Sequence, residues 1–264
     1  MARIQFTKME GLGNDYIYVD ATRFQIEDPA DVSRRVSDRH FGIGADGLVL
    51  IGRSPVADFS MRMYNADGSE GLMCGNASRC IAKYVHDKGL TDKTELTLHT
   101  LSGIKHLSLH LAADGSVESV TVDMGAPVKV APKCPVQACG RTFEGVFVNV
   151  GNPHLVIPVE DADAVALLEW GPAIEQSFPG GVNVEFFSIA APGVIRMRVW
   201  ERGSGVTLAC GTGACATAAA AMALGLVPGK CTVIMDGGPL EIEDKGTLLM
   251  TGPARTVFEG EMEL

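Results

Sequence analysis

The chain carries one stretch of sequence pattern twice. Aligned without gaps, Met63-Tyr64-Asn65 through Cys74-Gly75-Asn76 to Gly89-Leu90 falls on Val199-Trp200-Glu201 through Cys210-Gly211-Thr212 to Gly225-Leu226, an offset of 136 positions (Cys74 to Cys210). In each copy a strand pattern, a polar loop, a Cys-Gly pair, a helical pattern and a closing Gly keep the same register. A helix start offers backbone N–H groups without intrahelical partners and a partial positive charge, so it can hold a carboxylate and favours thiolate over thiol. A single Cys in this place reads as a small buried residue; two in register read as a pair of sites for one substrate.

The duplication extends upstream. The glycine-rich turn Gly11-Leu12-Gly13-Asn14-Asp15 has its counterpart in Gly151-Asn152-Pro153-His154, an offset of 138 (Asn14 to Asn152). A helix from Asp28-Pro29 to Gly42 is matched by one expected over Asp161 to Phe178, and Asp46 and Asn183 then take corresponding places before the next strand, an offset of 137. Met124-Gly125-Ala126-Pro127 marks the expected boundary between a first domain, 1–123, and a second, 124–252. A last strand, 253–264, is expected to return to the first. The segment after Cys210, Ala216 to Leu224, is apolar on every face and must be surrounded by protein. A strand barrel around a central helix fits it better than a helix on an open sheet.

With 264 residues, 46% of them hydrophobic, the chain can fill a sizeable core. A net charge of −10 argues against nucleic acid and anionic membrane surfaces as partners. The start of the chain lacks the apolar core of a signal peptide and Ala214 to Val227 is too short to span a bilayer, so a cytoplasmic protein is expected. None of the 7 cysteines forms Cys-x-x-Cys, and their spacings match neither zinc nor iron–sulfur patterns, so no metal site is expected. Gly211-Thr212-Gly213-Ala214-Cys215-Ala216 fits the weak form of a nucleotide fingerprint, but no alternating strand–helix pattern surrounds it and the matching segment after Cys74 lacks the glycines.

Taken in order, Gly11-x-Gly13-Asn14-Asp15, Asn65-Ala66-Asp67-Gly68-Ser69-Glu70, Cys74-Gly75-Asn76, Gly151-Asn152-Pro153-His154, Glu201-Arg202-Gly203 and Ala209-Cys210-Gly211-Thr212-Gly213 resemble the diaminopimelate epimerase family from end to end. The resemblance implies an α/β (α+β) fold of two pseudo-symmetric domains, each a mixed strand barrel wrapped around a central helix, with the active site in the cleft between them. It implies cofactor-independent epimerisation of L,L-diaminopimelate to the meso form, on the route to lysine and peptidoglycan precursors. Cys74 and Cys210 would be the acid and base, and the backbone of Gly75, Asn76, Gly211 and Thr212 would bind the reacting carboxylate. Asn65, Asn152, Asn183, Glu201 and Arg202 would hold the distal end of the substrate, with Asn14 lining the cleft, while His154 and Glu201 would tune the thiols.

Two departures from the family's pattern bear on substrate range. Ala77-Ser78 stands in place of the usual Gly-Ala before Arg79, and Val206 stands where many members carry Glu. Related cofactor-independent racemases act on other amino acids such as histidine or proline, and a thiol switch or metal-binding protein using Cys74 and Cys210 is the alternative from another class. The expected partner is a small-molecule substrate, and the sequence leaves a homodimer open.

Overall fold

The computed structural model describes residues 3–263; the expected boundaries at Met1 and Leu264 lie outside the described residues. The chain divides into two compact units, one running to Val122 and resuming at Gly252, the other spanning Asp123–Thr251.

In the first unit, β1 (Arg3–Gly11) and β2 (Asn14–Asp20) form a hairpin, and α1 (Pro29–Ser37) carries the chain over to β3 (Gly47–Gly52), which lies parallel to β2. β4 (Phe59–Asn65) turns back on β3 and pairs briefly with β5 (Glu70–Gly71); α2 (Gly75–Asp87) follows and delivers β6 (Glu95–Thr100) parallel to β4. β7 (Gly103–Leu111) and β8 (Val117–Asp123) complete an antiparallel meander. Asp28 caps α1 by accepting from the Asp31 N–H at 3.0 Å, and Pro29 occupies the first helical position, where no N–H is needed. Val32 and Val36 of α1 then pack onto Ile17, Val19, Leu48, Leu50 and Tyr64.

The second unit opens with β9 (Lys129–Ala138), β10 (Arg141–Asn149) and β11 (Pro153–Pro158), then α3 (Leu167–Gln176) crosses to β12 (Asn183–Ala191), parallel to β11. β13 (Val194–Glu201) returns antiparallel and pairs with β14 (Gly205–Val206); α4 (Gly211–Ala223) leads to β15 (Lys230–Met235), parallel to β13, and β16 (Gly238–Asp244) and β17 (Leu248–Pro253) follow. The last strand, β18 (Arg255–Glu263), pairs antiparallel with β1.

Strand order shows the duplication directly. The first unit runs β18-β1-β2-β3-β4-β6-β7-β8 and the second β9-β10-β11-β12-β13-β15-β16-β17, with parallel pairs at the same two places and a helix inserted at each. The C-terminal strand therefore fills in the first unit the position that β9 fills in the second. α4 is enclosed by β9–β13, β15 and β16, and residues 213–221 are buried without interruption. Seven alanines in the helix make this approach possible, because each adds only a methyl between helix and strand. α2 likewise packs on β1, β2 and β7, and is buried over Gly75–Ala82.

Two elements differ from the sequence expectation. The helix expected over 161–178 begins only at Leu167, because the Asp161 carboxylate takes the Asp163 N–H in a local turn and Ser188 Oγ takes the Ala162 N–H. β9 was not foreseen at all, since Pro132 and Pro135 interrupt its pattern; among the described residues it pairs on one side only, with β10, and such an edge strand tolerates a missing donor.

Candidate active site

Each repeated cysteine is the N-cap of its unit's enclosed helix. Cys74 (φ −137, ψ 122) precedes α2 and its Sγ accepts from the Ala77 N–H at 3.5 Å; Cys210 (φ −121, ψ 105) precedes α4 and its Sγ accepts from the Gly213 N–H at 3.4 Å. A sulfur thus takes the place of the usual Ser or Asp oxygen at the third helical N–H. The N–H groups of Gly75 and Asn76, and of Gly211 and Thr212, belong to the first turn and have no intrahelical acceptor. Each helix start therefore combines a proton-transfer group with donors suited to a carboxylate.

Around Cys74 the partners come from the β1–β2 turn. Asn14 Oδ1 accepts from the Cys74 thiol at 3.5 Å and from the Asn76 amide at 3.2 Å, while the Asn14 amide donates to Asp46 Oδ2 at 2.8 Å. Asp46 also takes the Asp15 N–H and a guanidinium N–H of Arg39, and Asp15 is paired with Lys8 at 2.7 Å and Arg39 at 2.8 Å. Arg39 and Lys8 hold the Asp15 carboxyl below its ordinary range against the opposing effect of burial, which is the largest single influence. The turn is thus locked at the base of Asn14. Arg79, fully buried one turn into α2, donates to Asn76 Oδ1 at 2.9 Å and to the Pro253 carbonyl at 3.0 Å.

Around Cys210 the partners are more acidic. Burial, followed by the Glu201 and Glu185 carboxyls, pushes the Cys210 thiol well above its ordinary range, outweighing the Thr212 hydroxyl and the Gly213 N–H, which act the other way. The expectation that a helix start favours thiolate is therefore reversed here by burial and by neighbouring carboxyls. Glu201 is itself raised by burial, hydrogen-bonds Cys210, and accepts from the Thr207 hydroxyl. His154 sits fully buried between Glu185 Oε1, 2.6 Å from Nδ1, and Asn152 Oδ1, 3.0 Å from Nε2; the Asn152 amide reaches Thr212 Oγ1 at 3.3 Å.

The remaining expected residues have structural occupations. Asn183 ties two loops together, donating to the Pro153 carbonyl at 2.9 Å and accepting from the Arg202 N–H at 3.0 Å. Asn65 closes the β4–β5 turn, its amide on Ser69 Oγ at 3.0 Å. Arg202 is exposed, with one N–H on the Gly180 carbonyl at 3.1 Å. Sequence reading missed Glu185, Thr207, Arg79 and Arg39 as members of these clusters. The available signal for Glu185 was a lone charge in the apolar run Val182 to Ile189. Surface hollows of about 380 and 510 Å³ lie at the far end of α2, beside Tyr84 and Lys88, where Lys88–Glu259 and Lys83–Asp87 are already paired. Among the described residues no cluster of three His, Cys, Asp or Glu is arranged for a metal ion, and no helix is long and apolar enough to cross a membrane.

The sequence profile described as diaminopimelate epimerase matches residues 6–130 and 146–257. The chain belongs to the diaminopimelate epimerase family. A diaminopimelate epimerase of Parabacteroides distasonis is 55% identical over 262 residues, covering 97% of each chain. Among solved structures, the fold is shared with a phenazine biosynthesis protein of the PhzF family from Bacillus anthracis (TM-score 0.78, 17% identity, 100% of both chains). It is shared also with a hydroxyproline epimerase from Agrobacterium vitis (TM-score 0.72, 17% identity, 98% of this chain and 92% of that one). Family membership agrees with the duplicated topology: the two pseudo-symmetric units are those of an epimerase fold.

Proposed function

We infer that this chain epimerises one α-carbon of diaminopimelate, L,L to meso, in lysine biosynthesis, with Cys74 and Cys210 as the acid/base pair and no organic cofactor. Inverting a carbon requires a proton to leave one face and another to arrive at the opposite face. A thiolate and a thiol that exchange roles with the direction of reaction meet that need. The observation that carries the assignment is that the two thiols are the equivalent N-caps of equivalent helices, each with two first-turn N–H groups beside it.

The carbanion formed on proton loss has no ring to delocalise into, so its charge must develop on the carboxylate. The N–H groups of Gly75, Asn76, Gly211 and Thr212 would stabilise that charge, an electrostatic contribution needing little reorganisation during reaction. Glu201 and His154 tune Cys210, and Asn14 orients Cys74. Asn65, Asn152, Asn183, Glu201 and Arg202 would frame the distal end; Glu201 is engaged with Thr207 and Cys210, whereas the Arg202 guanidinium is exposed and available to a distal carboxylate. Seven cysteines without a disulfide support work in the reducing cytoplasm.

The test is incubation of the wild type, Cys74→Ala and Cys210→Ala with L,L-diaminopimelate and a panel of simple amino acids in deuterated water. The wild type should place deuterium at one α-carbon of diaminopimelate while interconverting L,L and meso, and each variant should fold but lose epimerisation. Wild-type turnover in either variant would refute the two-thiol assignment. Equal activity on amino acids without distal charges would transfer the reading to a general racemase.

A further inference from the structure

Glu185 is fully buried on β12, and among the described residues its Oε2 has no hydrogen-bond partner. Burying a carboxyl in such a place is costly unless its hydrogen bonding is used. β12 runs parallel to β11 with Val156 opposite Glu185, so His154, two residues earlier, shows its ring on the same face. Gly213 makes room for this contact: a Cβ there would stand 2.8 Å from Glu185 Oε1 and 3.2 Å from Cys210 Sγ.

We propose that Glu185 is a positioning residue for Cys210, and that with His154 it starts a directional chain of hydrogen-bond donors ending with the Thr212 hydroxyl on the Cys210 sulfur. The proposal rests on the reading of Cys210 as one of the two acid/base groups.

The polarity follows link by link. The Asn152 amide donates to Thr212 Oγ1, so its carbonyl oxygen faces His154 Nε2 at 3.0 Å, and Nε2 must carry a hydrogen. His154 Nδ1 and Glu185 Oε1 stand 2.6 Å apart, a separation that needs a proton between them. Whether that proton belongs to the carboxyl or to the ring, the pair carries no net charge. Thr212 Oγ1, having accepted from Asn152, keeps its hydroxyl hydrogen for Cys210 Sγ, 3.6 Å away. The sulfur thus receives the Thr212 hydroxyl and the Gly213 N–H, and the titratable groups acting on it are Glu201 from β13 and Glu185 from β12, with His154 from β11 bonded to Glu185 behind them. These two donors oppose the effect of burial and of the Glu201 carboxyl, and the proton shared with His154 offsets the charge by which a bare Glu185 carboxylate would also disfavour the thiolate that proton abstraction requires.

The opposite polarity is chemically self-consistent and makes the opposite prediction. An ionised Glu185 accepting from Nδ1–H would leave Nε2 bare, turn the Asn152 amide over and draw the Thr212 hydroxyl away from sulfur. Glu185 would then be a negative charge acting against the thiolate.

The experiment is iodoacetamide alkylation of Cys210, followed by peptide mapping across a pH series with no substrate present. Glu185→Leu and Thr212→Val should each slow alkylation at fixed pH by about tenfold, the loss of one hydrogen bond to a charged sulfur. The double variant should be no slower than either single one, because both break the same chain. Glu185→Gln, whose amide can donate to Nδ1, should restore the wild-type rate, as should Thr212→Ser. Should Glu185→Leu not fold, the Gln, Ser and Val variants alone decide. Alkylation as fast as wild type or faster in Glu185→Leu or Thr212→Val, Gln as slow as Leu, or losses that multiply in the double variant would overturn the chain. Since the measurement uses no substrate, its failure leaves the α-deuteration result standing, and absence of α-deuteration leaves the chain standing.

Discussion

The Cys74 thiol donates to Asn14 Oδ1 across 3.5 Å, whereas Cys210 stands 3.6 Å from the Thr212 hydroxyl; each sulfur also accepts from the third N–H of its own helix. The two halves of a duplicated fold thus share the helix-cap bond to sulfur and differ in the side chains set against it. Asp46 is the cause in the first unit, because it engages the Asn14 amide at 2.8 Å and leaves only the oxygen for Cys74. Asn14→Asp should be strongly harmful for this reason: it sets a carboxylate against the thiol and a like charge against Asp46. Turnover should fall by about tenfold or more, matching at least one pKa unit of disfavoured thiolate, with Cys74 alkylation slowed in parallel. Unchanged alkylation of Cys74 in this variant would remove Asn14 from the chemistry.

Gly213 should tolerate no side chain. An added Cβ would meet Glu185 Oε1 at 2.8 Å and Cys210 Sγ at 3.2 Å, both in a buried site. Gly213→Ala is expected to destabilise the protein by about 1–3 kcal/mol through overpacking. It should also lower kcat more than it raises KM, because the displaced atoms belong to the acid/base group. Urea unfolding and steady-state kinetics on the same preparation check both; a KM effect alone would place Gly213 in substrate binding.

The duplicated helix starts were legible in the sequence because their signals are local: a Cys-Gly pair, an apolar helix pattern and a closing Gly repeat at a fixed offset. Enclosure of α4 was legible for a related reason, since a helix apolar on all faces has no face to give to water. What escaped was set by pairing between distant segments. Glu185 and His154 are 31 residues apart and meet only because β11 and β12 are parallel with Val156 opposite Glu185. The start of α3 escaped because a side-chain turn at Asp161 competes with helix, and β9 because the tolerance of an edge for proline depends on which strand is the edge.

The other cysteines should be silent bystanders. Burial pushes the Cys80 thiol up to about 12 and the Cys231 thiol up to about 11, and Cys215 is fully buried in α4. Thiols of this kind are poor nucleophiles near neutral pH. Among the five cysteines not placed in the mechanism, native-state labelling at pH 8 should modify exposed Cys139 first, then half-buried Cys134, and leave Cys80, Cys215 and Cys231 untouched until unfolding. Rapid labelling of Cys80 or Cys231 in the native protein would contradict the packing described around α2 and β15.

Acid stability offers a check on the first unit that is independent of the chemistry. Asp58 is lowered to about 2 by hydrogen bonds from Lys93 and from the hydroxyl and N–H of Thr97. A carboxyl depressed in the folded state contributes stability that is complete above its unfolded value of about 4 and is lost as pH falls through the folded value. Thr97→Val removes one of these donors, so the folded-state value should rise and the contribution should be smaller at neutral pH. The stability difference between wild type and Thr97→Val, measured by urea unfolding, should therefore be largest above about pH 4 and shrink as pH falls toward 2. A difference that is constant with pH would assign the effect of Thr97 to packing and leave the Asp58 carboxylate without a part in it.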